Sequence, residues 1–273
     1  MFRLAVALLV ALLATSAAAG PTVYSLDQCA DQYVLALSPR ADIVGLSRRA
    51  TNTDSYLRSL ASGLPLRRAS PEQVLAVGPA VVVRYWGGDE RFLADLMRRH
   101  VKVVRIDDAT DFAGIRANVR RVAKALGRED AGEVLVTRMD TQLAAARGAW
   151  GGTGAVYLTS GGDTAGQDTL IDAMLRAAGM TNLSRDRGYR PVPLESLILD
   201  PPAAIVTGFF DPDDLAMQRW SIGRHAVLRG LLAGRTLVSL PGALVGCPAW
   251  FAGEAVERIA AAHAARAAGH AGS

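Results

Sequence analysis

This chain is poor in cysteine, lysine and aromatic residues, and each shortage excludes something. Two cysteines in 273 residues, Cys29 and Cys247, are too few for a disulfide-stapled scaffold or a cysteine-rich zinc site. Lys102 and Lys124 are the only lysines, so arginine supplies 28 of the 30 basic residues. Those arginines are scattered, and against 26 acidic residues they leave a formal charge of +4. That is not the concentrated basic stripe of a nucleic-acid-binding surface, so no nucleic-acid partner is expected. Histidine is scarce as well: His100, His225, His263 and His270 are not gathered with carboxylates as a bare transition-metal site requires. There is no G-x-S-x-G elbow and no H-E-x-x-H motif, so catalysis has little support. Apolar side chains are abundant at 50% of the total, enough for a large core and incompatible with intrinsic disorder.

Long apolar runs are also missing, with one exception. Leu4 to Ala14 follows Arg3 without interruption and leads into Thr15-Ser16-Ala17-Ala18-Ala19-Gly20. A basic start, a short apolar run and a small-residue site make a secretory signal over residues 1–19, cut near Ala19. The run falls short of the ~20 residues a membrane-spanning helix needs. The expected mature protein is soluble, exported and monomeric.

Beyond that segment, short apolar runs alternate with amphipathic stretches, the pattern of an α/β protein. Strands are expected at Val23–Leu26, Ile43–Leu46, Ala80–Tyr85, Val101–Ile106, Ala155–Thr159, Ala204–Phe209 and Thr236–Leu240. Helices are expected at Asp89–Arg99, Asp130–Arg147, Asp168–Ala178 and Ala249–Arg266. Between the two strand sets, Phe112, Ile115, Val119, Val122 and Leu126 recur at three- and four-residue spacing, one apolar helix face. Asp111 suits its start and Gly127 its end. This helix is either a crossover within one sheet or a connector between two lobes.

An internal repeat bears on that choice. Glu72, Leu75, Pro79 and Ala80 recur as Glu195, Ile198, Pro202 and Ala203 at a constant offset of 123, each set followed by an apolar strand. Tyr85-Trp86 then falls opposite Gly208-Phe209, with Phe210 next. Each half holds the same unit of acid-headed helix, proline, strand and aromatic loop. The division expected is a lobe at 20–110, a connecting helix at 111–128 and a second lobe at 129–273.

Ligands of parallel α/β sheets bind beyond the carboxyl ends of the strands. That rule selects Asp27, Gln28, Arg48, Arg49, Arg84, Tyr85 and Trp86 from the first half. From the second it selects Ser160, Gln167, Phe209, Phe210 and Trp250. Aromatics at such exits either face a flat organic ligand or pack beneath loops. Cys29 and Cys247 both fall in these loops; an exported pair is often bridged, and this bridge would restrict opening of the lobes. The glycines of Ser160-Gly161-Gly162 follow a strand and precede a helical pattern, so an anion cradle is conceivable there. They match neither dinucleotide nor Walker spacing.

Taken in order, these features resemble a class III periplasmic substrate-binding protein of an ABC importer, the cobalamin and ferric-siderophore type. The marks are Ser25-Leu26-Asp27-Gln28-Cys29-Ala30-Asp31-Gln32, Ser70-Pro71-Glu72-Gln73-Val74-Leu75, the Asp111–Gly127 helix, Leu170–Asn182, and Pro193-Leu194-Glu195-Ser196-Leu197 before Asp200-Pro201. The resemblance covers nearly all of the chain after the signal. It implies two Rossmann-like lobes, each a mostly parallel sheet flanked by helices, joined by one long rigid helix with the ligand between them. It implies no cofactor and no catalysis, but a captured chelate: cobalamin, a ferric siderophore or haem. It further implies that Glu72 and Glu195 dock onto an ABC permease dimer in the inner membrane. Both acids also suit helix first turns on their own account. Ala80 and Ala203 depart from the family, which usually has an acid after the proline. The competing readings are an exported two-lobed enzyme acting on a nucleotide or glycan, with Asp27 or Asp163 as its acid or base, and a ligand sensor without transport.

Overall fold

A computed structural model describes residues 20–192, 194–209 and 235–271, together with 230 and 232; the expected signal segment lies outside them. Two separate parallel sheets organise the chain. The first has the strand order β3-β2-β1-β4-β5, from β1 (Val23–Ser25), β2 (Ile43–Ser47), β3 (Leu66–Arg67), β4 (Val81–Arg84) and β5 (Lys102–Arg105). The second has the order β11-β10-β6-β8, from β6 (Gly154–Thr159), β8 (Thr181–Asn182), β10 (Ala204–Gly208) and β11 (Thr236–Leu240). β7 (Asp163–Ala165) and β9 (Tyr189–Pro191) form a small antiparallel ribbon beside the second sheet.

The central strands are buried on both faces, which is why they read as unbroken apolar runs. Val81 and Val83 of β4 join the main core, whereas Val82 faces a second cluster with Tyr24, Phe92 and Leu96. β1 and β4 pair in register, Val23 with Val81 and Ser25 with Val83. Because β2 and β4 flank β1, the strand order reverses between β1 and β4 while all strands stay parallel, the topological switch point where ligands collect. In the second sheet the corresponding gap lies between β6 and β10.

Helices start where short polar side chains accept backbone N–H bonds. Asp27 caps α1 (Gln28–Leu37), Ser70 caps α2 (Pro71–Val77), Asp89 caps α3 (Glu90–Arg98) and Thr169 caps α6 (Leu170–Ala177). α4 (Phe112–Leu126) begins at Asp111, which accepts from Gly114 N, and ends at a left-handed Gly127. α5 (Glu129–Ala146) follows at once and leads to β6, so this pair bridges the two sheets. α4 buries Ile115, Val119, Val122 and Leu126 against the first sheet's core, as its spacing requires. A Cβ on Gly132 of α5 would lie 2.6 Å from the Ala123 Cβ, so only glycine lets the two helices approach this closely. Arg116–Asp140 and Arg120–Glu133 ion pairs, both at 2.6 Å, hold the same seam.

α7 (Leu194–Leu199), α8 (Gly242–Val245) and α9 (Ala252–Ala271) complete the order. α9 packs on α5, α6 and β11. The segment just before it crosses to the first half: the Tyr33 hydroxyl donates to Pro248 O at 2.5 Å, and Trp250 meets the Tyr33 ring edge-on. Tyr56 stacks on Phe251 at 4.3 Å and donates to Glu254 Oε2.

Three local expectations need correction. The four short strands β3, β7, β8 and β9 were absent from the sequence pattern, since two or three residues carry no periodicity. The Ser160-Gly161-Gly162 loop opens β7 rather than a helix: Gly162 N bonds Thr159 O, and Asp163 N bonds the Thr159 hydroxyl. The helix N-terminus needed for an anion cradle is therefore not at that loop. The final helix starts at Ala252 rather than Ala249 because residues 247–251 are committed to the first half.

Candidate functional site

A cavity of about 310 Å³ opens where the exits of the two parallel sheets face one another. Tyr85 and Asp108–Thr110 line it from the first half; Asp168–Leu170, Gly188–Tyr189 and Val245–Pro248 line it from the second. A larger recess of about 420 Å³ lies wholly in the second half, beside the β7–β9 ribbon and α7. It touches no strand exit of the first sheet. The smaller cavity is the one the switch-point geometry places between the sheets.

Tyr85 is the first residue past β4, half-buried, and its hydroxyl donates to Asp108 Oδ1 at 2.8 Å. Burial and the hydrogen bond to the Asp108 carboxylate push its phenol well above the usual tyrosine range. Tyr189, on β9 of the opposite half, is 53% exposed, and burial together with the same Asp108 charge raises its phenol too. Two neutral phenols from opposite halves thus stand around one carboxylate. Asp168 adds a second acid at the rim, paired with Arg187 at 2.7 Å. Ala109, Leu170, Val245 and Pro248 give the walls apolar surface. Among the described residues no group of three or more His, Cys, Asp or Glu could hold a metal ion. The arrangement suits an organic guest held by aromatic faces and hydroxyl bonds.

Three described non-glycine residues take left-handed φ: His100, after α3 and away from the cavity, and two near it. Asp168 and Phe209 both take left-handed φ near 60° without being glycine, a costly state that the surrounding structure must enforce. Phe209 leaves β10 towards Gly246, one of the wall residues.

The residues selected from the sequence separate into groups. Tyr85 lines the cavity; Trp86, next to it, is 55% exposed. Gln167 is exposed beside the lining residues, its backbone bonded to Asp186 and Gly188. Arg48 and Arg49 are exposed after β2, Arg49 paired with Asp54 at 3.2 Å. Phe210 lies outside the described residues. Asp27, Gln28, Ser160 and Trp250, expected at the ligand, are instead buried. Gln28 donates to Asp54 O, and Trp250 is core, edge-on to Tyr33 and Phe251. Arg84 is 9% exposed, its nearest acid Glu90 at 3.8 Å and its Nε without a partner. It lies on the Val82 face of β4, away from the cavity. Cys29 and Cys247, left open by the sequence, are bridged, which fastens a wall of the cavity to α1.

Sequence reasoning missed Asp108, Asp168 and Tyr189. Tyr189 sits on a three-residue antiparallel strand that no parallel-strand rule would select. Its flanking Gly188 and Pro191 were the only local hint of a turn-bounded aromatic.

Residues 23–211 match the model of the family described as periplasmic binding protein. The chain belongs to that family. Among solved structures, the apo haem-binding protein RhuT of Roseiflexus sp. RS-1 aligns at 22% identity and TM-score 0.69, covering 89% of this chain and 97% of its own. The periplasmic haem-binding protein BhuT, solved with two haems, aligns at 26% identity and TM-score 0.66, covering 88% and 98%. The vitamin B12-binding protein BtuF of Vibrio cholerae aligns at 17% identity and TM-score 0.61, covering 90% and 97%. At such identity RhuT and BtuF show the fold alone. A search of curated proteins finds no match. The α/β architecture of this periplasmic binding protein is therefore that of two-lobed, helix-flanked parallel sheets.

Proposed function

We propose that this periplasmic binding protein serves an ABC importer, capturing an organic metal chelate between its sheets and handing it to an inner-membrane permease dimer. The observation that carries the reading is the Tyr85–Asp108–Tyr189 arrangement: phenols from opposite halves facing across one cavity at the strand exits. Haem, cobalamin and ferric siderophores are the candidate chelates. Haem comes first among the probes because BhuT, the 26% identical relative, is a haem-binding protein. Trp86, Gln167 and Phe209, with Arg48 and Arg49 farther out, complete the proposed contact surface. The lobes are 20–110 and 129–273, the connector is 111–128, and residues 1–19 are the export signal. The protein acts as a monomer.

Delivery falls to Glu72 and Glu195. Both are exposed, in the first turns of α2 and α7, and both head the repeated helix-proline-strand unit. Glu72 is held below the usual glutamate range by its own backbone N–H and by Ser70, so it stays ionised. A carboxylate so placed suits an arginine partner.

A thermal-shift screen of residues 20–273 with haemin, cyanocobalamin and a ferric hydroxamate tests the capture role. Specific binding raises the melting temperature with ligand concentration by mass action. A protein that none of the three stabilises would overturn the ligand class.

A further inference from the structure

Asp27 was selected from the sequence as a ligand contact, yet it is 0% exposed. Its two carboxylate oxygens do different things. Oδ1 accepts from Ala30 N at 2.9 Å and caps α1. Oδ2 accepts from three successive backbone N–H groups, Tyr85 at 2.7 Å, Trp86 at 3.1 Å and Gly87 at 2.9 Å. Consecutive N–H groups converging on one point make an anion nest, and here the anion belongs to the protein itself. We infer that Asp27 is the positioning residue of the cavity, its carboxylate fixing the Tyr85–Gly87 loop and thereby the angle at which Tyr85 and Trp86 meet the ligand. This rests on the proposed capture role of the same cavity.

The geometry excludes a role in helix capping alone, which needs only one oxygen. Gly87 shows how tightly the loop is drawn down: a Cβ there would lie 2.7 Å from Leu26 O, directly before Asp27. Tyr85 is consequently held at both ends, its backbone by Asp27 and its hydroxyl by Asp108. Trp86 exposes its indole on a stem whose N–H is fixed. A pre-set loop loses less freedom on binding than a mobile one, and that difference appears as affinity. Neither neutral replacement reproduces both halves of the job. Serine caps α1 but is too short to serve the loop as well. Asparagine has one accepting oxygen, and its NH2 group must oppose either Ala30 N or the three loop N–H groups.

The test uses Asp27→Ser and Asp27→Asn with Gly87→Ala, which displaces the loop while leaving the α1 cap intact. The first readout, amide hydrogen exchange, needs no ligand. All three variants should speed exchange at 85–87 by about tenfold or more, while residues 30–37 in Asp27→Ser and Gly87→Ala keep wild-type protection. The second readout is titration with whichever of haemin, cyanocobalamin or a ferric hydroxamate the wild type binds; the dissociation constant should rise about tenfold. Unchanged exchange at 85–87 overturns the inference, as does a loosened loop with wild-type affinity. Should Asp27→Ser not fold, Gly87→Ala alone decides by the same two outcomes. Loosened amides in a protein whose wild type binds no probe support the positioning and remove the capture reading.

Discussion

At the scale of single residues, the most informative group outside the cavity is Asp31. It is 0% exposed and takes bonds from the Ser25 hydroxyl and from both the backbone and the hydroxyl of Ser47. Burial outweighs those bonds and, with the charge of Asp27, raises its carboxyl to about 7. The folded protein therefore keeps a proton that the unfolded chain releases above about pH 4. Where the folded state holds more protons, stability falls as pH rises, here from about pH 4 to about pH 7, and the loss is complete above that. Melting temperatures of wild type and Asp31→Asn should diverge between about pH 4 and about pH 7, the variant losing less. Parallel curves would contradict this. A sequence could show that Asp27 and Asp31 share a helix start; it could not show that one anchors a distant loop while the other is buried against two serines. Those partners lie 6, 16 and 58 to 60 positions away.

Elements were more legible than sites. The strand at Thr236–Leu240 and the helix bounded by Asp111 and Gly127 follow from apolar spacing and capping chemistry, which are local. β9 and the crossing segment 247–251 do not, because their shape comes from distant partners. Trp250 shows the difference: at the exit side of β11 it reads as a ligand contact, but the chain turns back and buries it on Tyr33. Trp250→Ala should accordingly cost about 3–5 kcal/mol of stability as a core truncation. Denaturant unfolding checks this, and a loss below about 1 kcal/mol would return Trp250 to the exposed role. Asp111→Ala removes one cap and should cost about 1 kcal/mol, measured in the same way. No change there would mean that α4 is held by packing alone.

For the whole molecule, the bridge between Cys29 and Cys247 closes a separation of 218 residues and fixes a cavity wall to the first half. Replacing both cysteines by alanine should lower stability by about 2–4 kcal/mol and widen the range of cavity openings. Spin-label distances between the halves would report the second effect, and unchanged distances would count against it. Reversing Glu72 and Glu195 to lysine should abolish uptake in cells while leaving ligand binding intact. Undiminished uptake by that double variant would remove the docking role. Capture at the cavity is tested most directly by spectroscopic titration of wild type and Tyr85→Ala/Tyr189→Ala with haemin, cyanocobalamin and a ferric hydroxamate. One probe should bind the wild type with a dissociation constant of about 1 μM or tighter, and the double variant should bind it at least about tenfold more weakly. Equal affinity in both proteins would place the ligand elsewhere and contradict capture at this cavity.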